Sequence, residues 1–370
     1  MSAALRETRL ALIGFGYWGP NLLRNFSATA GISVTTVCDA DAARLATARV
    51  AAPWLAVTAD LRSVLEDTGV DAVAIATPVA SHYGIALAAL AAGKHVFIEK
   101  PITRTRFEAA RLIEAAAAGG RVLMVDHTYV YSSAVERLRA LVGGTGSGNA
   151  ESEGGAAGES NWLGQAYYYD SVRANLGRFR ADVDVLWDLA VHDVAILDFL
   201  FDAMPTEVTA TGANFIEQAA PRASDLAYLT LRYPSGFLAH IHVNWLSPIK
   251  IRRVMIGASR RMVVYDDLEP SDKLKIYDRG VAPGVLTGDA PRDSSEALQR
   301  RIGYRTGDMW APRIDVAEPL AGACAEFMRC IRDNAAPRTG GACGQRVVRV
   351  LEAASASLAQ RGAPVGLEPL

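Results

Sequence analysis

Residues 10–25 read LALIGFGYWGPNLLRN and decide the fold of the first part of the chain. Four apolar residues, 10–13, predict a buried strand that runs into the turn Gly14-Phe15-Gly16-Tyr17-Trp18-Gly19. Pro20 then suits the first turn of a helix, where its missing N–H leaves no hydrogen bond unmade. A strand, a G-x-G-x-x-G turn and a helix in this order predict a binding site for a pyrophosphate at the helix N-terminus.

The spacing beyond this turn indicates a dinucleotide. Gly14 permits the tight turn, Gly16 lets the backbone approach the phosphates, and Gly19 lets helix and strand pack closely. A second apolar run, 32–38, ends at Asp39, about 20–25 residues past the first glycine, where ribose hydroxyls are expected. We therefore predict a nicotinamide-dinucleotide site that prefers NAD over NADP, because Asp39 would repel a 2′-phosphate. Arg44, the nearest arginine, is predicted to lie a turn into the next helix.

Length and composition restrict the class of protein. The chain has 370 residues, which predicts two domains, and half of its residues are hydrophobic. Its net charge of −2 argues against partners such as nucleic acid or an anionic membrane surface. No apolar run reaches the roughly 18 residues of a membrane span. The four cysteines form no C-x-x-C pair, which favours reduced thiols in a cytoplasmic protein.

The first third of the chain alternates short apolar strands with helices, which predicts a parallel sheet covered on both faces. The later predicted strands are 70–76, 95–98 and 121–125, and the predicted helices are 41–50, 81–92 and 104–118.

From about Tyr167 the period changes to two, which predicts an open, largely antiparallel sheet. Its predicted strands are 207–215, 225–233, 236–246, 252–257, 261–266 and 273–277, with one helix at 185–201 before them and helices at 319–334 and 344–360 after them. In the third strand, alternate residues from Phe237 to Trp245 are apolar, and His240 and His242 lie on the opposite face. A wet face or a subunit contact is favoured there over a metal site, because no third ligand is evident.

Two stretches lack periodic patterns. Residues 143–160 are rich in glycine, serine and glutamate and are interpreted as a flexible insertion. Residues 280–308 are interpreted as an irregular loop.

Two groups of residues have the chemistry of proton transfer. Lys100, in Glu99-Lys100-Pro101, follows a predicted parallel strand, and residues at the carboxyl ends of such strands face the ligand crevice. Asp188 and His192 are four residues apart on an otherwise apolar predicted helix, so they share a face. An imidazole beside a carboxylate can accept a hydroxyl proton near neutral pH. The alternatives are a surface lysine at a turn and a hydrogen-bonded core histidine.

Together these motifs resemble the glucose–fructose oxidoreductase/inositol dehydrogenase (Gfo/Idh/MocA) family over nearly the whole chain. The resemblance includes GFGYWG, Ala76-Thr77-Pro78 with His82, Glu99-Lys100-Pro101, the Asp188–His192 helix and Glu318–Cys330. It implies an N-terminal Rossmann domain, 1–128, and a C-terminal α+β domain, 129–370, with an open sheet for substrate binding and for assembly of a homodimer or homotetramer. It also implies that Lys100, Asp188 and His192 are catalytic. The implied cofactor-binding residues are Gly14, Phe15, Gly16, Tyr17, Trp18, Gly19, Asp39, Thr77, Pro78, His82, Glu99 and Lys100.

Residues 167–175 are similar to those of the subset that acts on nucleotide sugars and aminoglycoside-type cyclitols. Arg173 and Asn175 therefore join Lys100, Asp188 and His192 as expected substrate-binding residues. Val185-Leu186-Trp187 departs from the family's usual glycines. We expect an enzyme that interconverts a secondary alcohol and a ketone on a sugar, sugar nucleotide or cyclitol. An NADPH-dependent keto-sugar reductase, a non-catalytic dinucleotide sensor, and a dehydratase or hydrolase that uses transient oxidation remain alternatives.

Overall fold

The structure is a computed structural model that describes residues 7–143, 162–177, 179, 183–216, 224–283 and 302–368. The chain divides into two compact units. The first unit comprises Met1–Ser133, Arg180–Phe199 and Val316–Ala356, and the second comprises Ala134–Phe179, Leu200–Asp315 and Ser357–Leu370. The helix with Asp188 and His192, and most of the C-terminal helices, thus belong to the first unit, although they follow residue 128. The functional division at residue 128 stays a prediction.

The first unit contains a parallel sheet with the strand order β3-β2-β1-β4-β5-β6 among the described residues. Its strands are β1 (Thr8–Ile13), β2 (Ile32–Cys38), β3 (Ala56–Thr58), β4 (Ala72–Ile75), β5 (His95–Glu99) and β6 (Leu123–Asp126). The helices between them are α1 (Gly19–Ala28), α2 (Ala42–Ala51), α3 (Leu61–Glu66), α4 (Val79–Ala91) and α5 (Arg106–Gly119). The order reverses between β1 and β4, which creates the crevice where ligands of such sheets bind.

Local sequence explains the boundaries of these elements. The Asp41 side chain accepts a hydrogen bond from the Ala43 N–H and caps α2, and Thr105 and Glu108 form a capping box at α5. Gly120 ends α5 in the left-handed conformation. All four residues of β4 are buried, as expected for a strand with helices on both faces. The predicted strands and helices are confirmed here, but β3, of three residues, and α3, of six, were missed because elements this short give no periodic signal.

The remainder of the first unit covers this sheet. It contains a 3₁₀ turn (Thr128–Tyr131), a π turn (Leu186–Ala190), most of α7 (Val191–Phe201), α8 (Pro319–Asp333) and most of α9 (Gly341–Ala359). Phe327 of α8 packs edge-on against Phe26 and Phe97, with ring centroids 6.2 and 5.5 Å apart. A Cβ at Gly344 would lie 2.9 Å from Val125 Cγ2, so this glycine lets α9 approach β6 closely.

The second unit is built on a sheet of nine described strands in the order β16-β13-β12-β11-β7-β10-β9-β8-β17. Only β7 and β10 pair in parallel, so the prediction of a largely antiparallel sheet is confirmed. The strands are β7 (Ala166–Leu176), β8 (Glu207–Ala213), β9 (Leu226–Arg232), β10 (Leu238–Asn244), β11 (Leu246–Ala258), β12 (Met262–Asp266), β13 (Leu274–Tyr277), β16 (Met309–Trp310) and β17 (Val365–Gly366). The unit also contains nearly all of α6 (Ser133–Gly143).

The predicted faces of β10 are confirmed. Ala239, Ile241 and Val243 are fully buried, whereas His240 is exposed and its Nδ1 lies 3.4 Å from Asp170 Oδ1. Within the described ranges, no group of three or more His, Cys, Asp or Glu residues could hold a metal ion.

The two predicted irregular stretches have different outcomes. Apart from Gly143, residues 143–160 lie outside the described residues. The ends of 280–308 form paired strands, β14 (Gly280–Pro283) and β15 (Ile302–Arg305), which the irregular composition did not predict. No described helix is long and apolar enough to cross a membrane.

Candidate active site

The glycine turn after β1 has the shape of a phosphate cradle. Gly14 has φ +95°, and a Cβ there would lie 2.7 Å from the carbonyl carbon of Ala76. A Cβ at Gly19 would lie 2.8 Å from the Gly14 carbonyl oxygen. At Gly16 the nearest atom to an added Cβ is Arg44 Nη1, 3.8 Å away, so the backbone is open there. Packing therefore requires the first and third glycines, and the middle one leaves space for a ligand.

Asp39 connects β2 to the glycine turn. Its Oδ2 accepts a hydrogen bond from the Phe15 N–H at 2.6 Å, and its Oδ1 accepts one from the Asp41 N–H at 2.9 Å. The residue is 7% exposed. Arg44 lies in the first turn of α2 and reaches back, with Nη1 3.6 Å from Asp39 Oδ2 and Nε 3.4 Å from Asp41 Oδ2. A guanidinium therefore lies beside the carboxylate that the sequence predicts at the adenosine ribose.

His82 holds together the loops that follow β4 and β5. Its Nδ1 is 2.9 Å from the Pro101 carbonyl oxygen and its Nε2 is 2.8 Å from the Thr77 carbonyl oxygen. The ring is buried. On the same helix, the Ser81 hydroxyl donates to Thr77 Oγ1 at 2.8 Å. This arrangement positions the segment from Glu99 to Pro101, whose Lys100–Pro101 peptide bond is cis.

Lys100 and Asp188 meet although 88 positions separate them in sequence. The Lys100 ammonium donates to Asp188 Oδ1 at 3.0 Å and to the Asp188 carbonyl oxygen at 2.8 Å. Both side chains are mostly shielded from solvent, with exposed fractions of 16% and 20%. A shielded lysine–carboxylate pair at the carboxyl end of a parallel strand can bind a hydroxyl, and the amine form of the lysine can accept the hydroxyl proton.

The segment around Asp188 is a π turn, so the predicted α-helix over 185–201 is wrong in its first part. The hydrophobic spacing there does not distinguish an α-helix, with hydrogen bonds between residues four apart, from a π turn, with hydrogen bonds between residues five apart. Val185 and Leu186 are fully buried, and the Trp187 indole donates to Ser355 Oγ of α9 at 2.9 Å. The apolar residues that replace the family's usual glycines therefore anchor the turn that carries Asp188.

His192 lies one element further on, in the first turn of α7. Its ring packs edge-on against the Tyr129 ring, with centroids 4.8 Å apart. Tyr129 belongs to the 3₁₀ turn after β6 and was not predicted from the sequence. Its position just past the carboxyl end of a parallel strand was the signal that could have identified it.

Three buried ionisable groups next to Lys100 were also missed or assigned otherwise. Glu99 and Asp126 are register partners at the ends of β5 and β6, and the Thr128 hydroxyl donates to Asp126 Oδ1 at 2.7 Å. Burial, reinforced by the charge of Asp126, raises the pKa of Glu99 well above its usual range. Burial lowers the pKa of His127 to about 3. Such perturbed groups concentrate at functional sites.

Arg173 and Asn175 lie on β7 of the second unit, whereas Lys100, Asp188 and His192 lie in the first. Arg173 is 4% exposed, and its strand β7 lies between β11 and β10 in the sheet.

Comparison with known proteins agrees with this geometry. Residues 8–127 match the GFO/IDH/MocA oxidoreductase family with an NAD-binding Rossmann fold, and residues 155–264 match the GFO/IDH/MocA C-terminal domain. The chain belongs to the GFO/IDH/MocA family. The resemblance drawn from the motifs is thereby confirmed, as is the fold class, and a nicotinamide dinucleotide is the cofactor class of this oxidoreductase.

Two relatives with names are similar over most of their length. UDP-N-acetylglucosamine 3-dehydrogenase of Acidithiobacillus ferrooxidans is 28% identical over 282 residues, which cover 75% of this chain and 76% of the relative. Inositol 2-dehydrogenase of Acidiphilium cryptum is 37% identical over 240 residues, 64% of this chain and 66% of the relative. A solved structure of the former enzyme superposes with a TM-score of 0.75 at 23% identity, covering 96% of this chain and 99% of that chain, which shows a shared fold.

Proposed function

We propose that this protein is an NAD-dependent dehydrogenase that interconverts a secondary hydroxyl and a ketone on a sugar, sugar nucleotide or cyclitol. The observation that carries the proposal is the Lys100–Asp188 pair at the end of β5, in the unit that also contains the open glycine turn. The named relatives act on a nucleotide sugar and on inositol, which supports this substrate class.

In the oxidation direction, Lys100 and His192 accept the hydroxyl proton, directly or in relay. Asp188 holds the Lys100 side chain, orients His192 and accepts a hydrogen bond from a neighbouring substrate hydroxyl. A bound nicotinamide dinucleotide would supply the hydride acceptor at this site. The residues of this chain supply position and proton management, which account for a large part of such catalysis.

The dinucleotide is held by residues at the carboxyl ends of four strands, β1, β2, β4 and β5. Gly14, Phe15, Gly16, Tyr17, Trp18 and Gly19 bind the pyrophosphate, Asp39 faces the adenosine ribose, and Thr77, Pro78, His82, Glu99 and Lys100 form the nicotinamide side. His82 acts here by joining the loops after β4 and β5 through Thr77 and Pro101. Arg173 and Asn175 are proposed as substrate-binding residues from the second unit.

The proposed preference for NAD over NADP rests on Asp39, whereas the position of Arg44 favours NADP. A guanidinium 3.6 Å from Asp39 partly neutralises the carboxylate and can turn toward a 2′-phosphate. This observation supports the second candidate function, reduction of a keto-sugar by NADPH. Measured kcat/KM for both cofactors decides between them.

The proposed chemistry is tested with a panel of UDP- and dTDP-sugars, myo-inositol and scyllo-inosamine, followed by the absorbance of NADH. Turnover on one of these polyols is expected. Binding of NADH without turnover on any of them would favour a dinucleotide-sensing regulator instead.

We also propose a homo-oligomer, a dimer or tetramer, assembled through the open face of the second unit's sheet. Tyr168 and Leu238 are register partners on β7 and β10, and they are 40% and 39% exposed on that face. Light scattering of the wild type and of Leu238→Lys tests the assembly. The four cysteines are buried and free, which supports a reducing, cytoplasmic location.

A further inference from the structure

Glu99 and Asp126 form a buried carboxyl pair to which the proposed reaction assigns no proton transfer. Their backbones are register partners at the ends of β5 and β6. Glu99 Oε1 and Asp126 Oδ2 are both buried, and no donor among the described residues reaches either atom in hydrogen-bond geometry. Two ionised carboxylates are acceptors only, so they cannot bond to each other. Two such like charges also repel each other, and one proton held between the two carboxyls replaces this repulsion with a strong hydrogen bond.

We propose that Glu99 and Asp126 share one proton, with Glu99 as the acid that donates to Asp126, and that this pair positions Lys100 and keeps a single negative charge behind it. The pair is a positioning device, since its effect on the reaction is carried by Lys100. The consequence for activity rests on the proposed role of Lys100, whereas the shared proton itself does not.

The contacts assign the proton to Glu99. Asp126 Oδ1 accepts a 2.7 Å bond from the Thr128 hydroxyl, a donor that favours the ionised form. The Glu99 carboxyl accepts only a long 3.3 Å bond, from the Lys100 backbone N–H, among the contacts described for it. Burial raises the pKa of both groups, and for Asp126 the Glu99 carboxyl, the Thr128 hydroxyl and the Trp18 indole oppose that rise.

The surroundings contain few charges that could replace the shared proton. From β5, Lys100 is the cation that acts on both carboxyls. Beyond β6, His127 is neutral, because burial lowers its pKa to about 3. From α8, Cys324 faces the pair as a thiol, because burial raises its pKa well above the usual range. Asp188, in the π turn, accepts a hydrogen bond from the Lys100 ammonium.

The shared proton is tested on the protein without cofactor by infrared difference spectroscopy at neutral pH. The wild-type spectrum minus that of Glu99→Gln is expected to contain the carbonyl band of a protonated carboxylic acid. Asp126→Asn is expected to remove the same band, because its amide donates to Glu99 and leaves that carboxyl ionised. Glu114→Gln, at an exposed position of α5, is the control and leaves the band in place. A wild type without this band, or a band that survives in Glu99→Gln, would overturn the proposal.

The positioning role is tested with variants that keep or remove the negative charge of the pair, by measuring the pH–rate profile of each. Glu99→Gln and Asp126→Asn each keep one negative charge and one hydrogen bond, so each is expected to keep the wild-type midpoint of the acid limb. The double variant has no charge behind Lys100, so its acid limb is expected to move to lower pH, since an ammonium near fewer negative charges loses its proton more readily. Glu99→Ala, which leaves Asp126 without its donor, is expected to lower turnover about 100-fold by misplacing Lys100, with rescue in Glu99→Gln.

The two tests separate the possible failures. A shift in Glu99→Gln alone would mean that Glu99 is ionised in the wild type, which contradicts the shared proton. An unmoved acid limb in the double variant, with the infrared band present in the wild type, would refute the influence of the pair on Lys100 and count against Lys100 as the proton acceptor. Equal activity of Glu99→Ala and Glu99→Gln would refute the positioning role.

Discussion

Lys100 contacts Asp188 through two different acceptors, the carboxylate Oδ1 at 3.0 Å and the backbone carbonyl oxygen at 2.8 Å. The carbonyl bond belongs to the π turn and not to the side chain. Neutralising the carboxylate therefore leaves one bond that keeps the ammonium in place. The charge of Asp188 and its effect on the position of Lys100 can thus be separated by substitution.

The Lys100→Met variant is expected to bind NADH nearly as well as the wild type and to turn over roughly 10²–10⁴-fold more slowly, the usual contribution of a positioned acid–base group. Methionine keeps the length and apolar stem of lysine but cannot accept or donate a proton at its tip. Fluorescence titration with NADH and steady-state rates check the two halves of this prediction.

Lys94→Met is the matched control for that variant. Lys94 is 5% exposed and donates to the carbonyl oxygens of Asp67 and Val70 at 2.6 and 2.7 Å. Its loss is expected to lower the melting temperature and to leave kcat of the folded fraction unchanged. A Lys100→Met enzyme that keeps most of its activity would show that Lys100 is a structural turn residue.

Two conservative substitutions separate catalysis from packing at the π turn and α7. His192→Asn is expected to preserve the fold and to shift or flatten the pH–rate profile near neutrality, where an imidazole titrates. Asp188→Asn is expected to reduce turnover comparably, although the carbonyl bond still holds Lys100. Thermal melts beside single-turnover kinetics check both. Losses of about 1–3 kcal/mol in stability with unchanged chemistry would instead identify buried structural polar groups.

Much of the first unit was predictable because its signals are local. The signals lie within 32 residues and consist of a strand, the glycines at 14 and 19, and Asp39. The structure explains the glycines by close backbone contacts and Asp39 by its hydrogen bond from the Phe15 N–H. The outward and inward faces of β10 were predictable for the same reason, since alternation has a period of two.

The contacts made by distant residues were not predictable from sequence. Asp126 acquires its significance only because β6 pairs with β5 beside Glu99, and no local pattern marks it. The π turn was missed because apolar spacing suits both helix types. Arg44 was predicted to lie a turn into the next helix, but no local pattern indicates that its guanidinium returns to Asp39.

Cofactor choice is expected to depend on Arg44 as well as on Asp39. Asp39→Ala should narrow the preference for NAD, but it also removes the acceptor of the Phe15 and Asp41 N–H groups, so Arg44→Ala is the cleaner change. That variant is expected to lose about 10–100-fold in kcat/KM with NADP, the value of a hydrogen bond to a charged group, and little with NAD. Arg49→Ala, in the last turn of α2, is the control. Equal or better use of NADP by the wild type would contradict the NAD assignment.

The last prediction concerns stability in acid and His127. The residue is 2% exposed, neither ring nitrogen has a hydrogen-bond partner among the described residues, and burial lowers its pKa from 6.5 to about 3. Between pH 6.5 and about 3, the unfolded chain binds a proton at His127 that the folded chain does not bind. The contribution of His127 to the free energy of unfolding is therefore complete above pH 6.5 and is lost as the pH falls toward 3. At about 1.4 kcal/mol per unit, the His127 contribution amounts to no more than about 4–5 kcal/mol.

His127→Leu, of similar volume and without titratable nitrogens, is expected to unfold with a shallower dependence on pH across this window. Urea unfolding of the wild type and the variant at a series of pH values measures the difference, in which the titration of the carboxylates common to both proteins largely cancels. His240→Leu, at an exposed position of β10, is expected to follow the wild type. Parallel plots of the free energy of unfolding against pH for the wild type and His127→Leu would mean that His127 is hydrated or partnered in solution. His127 would then make no contribution to the loss of stability in acid.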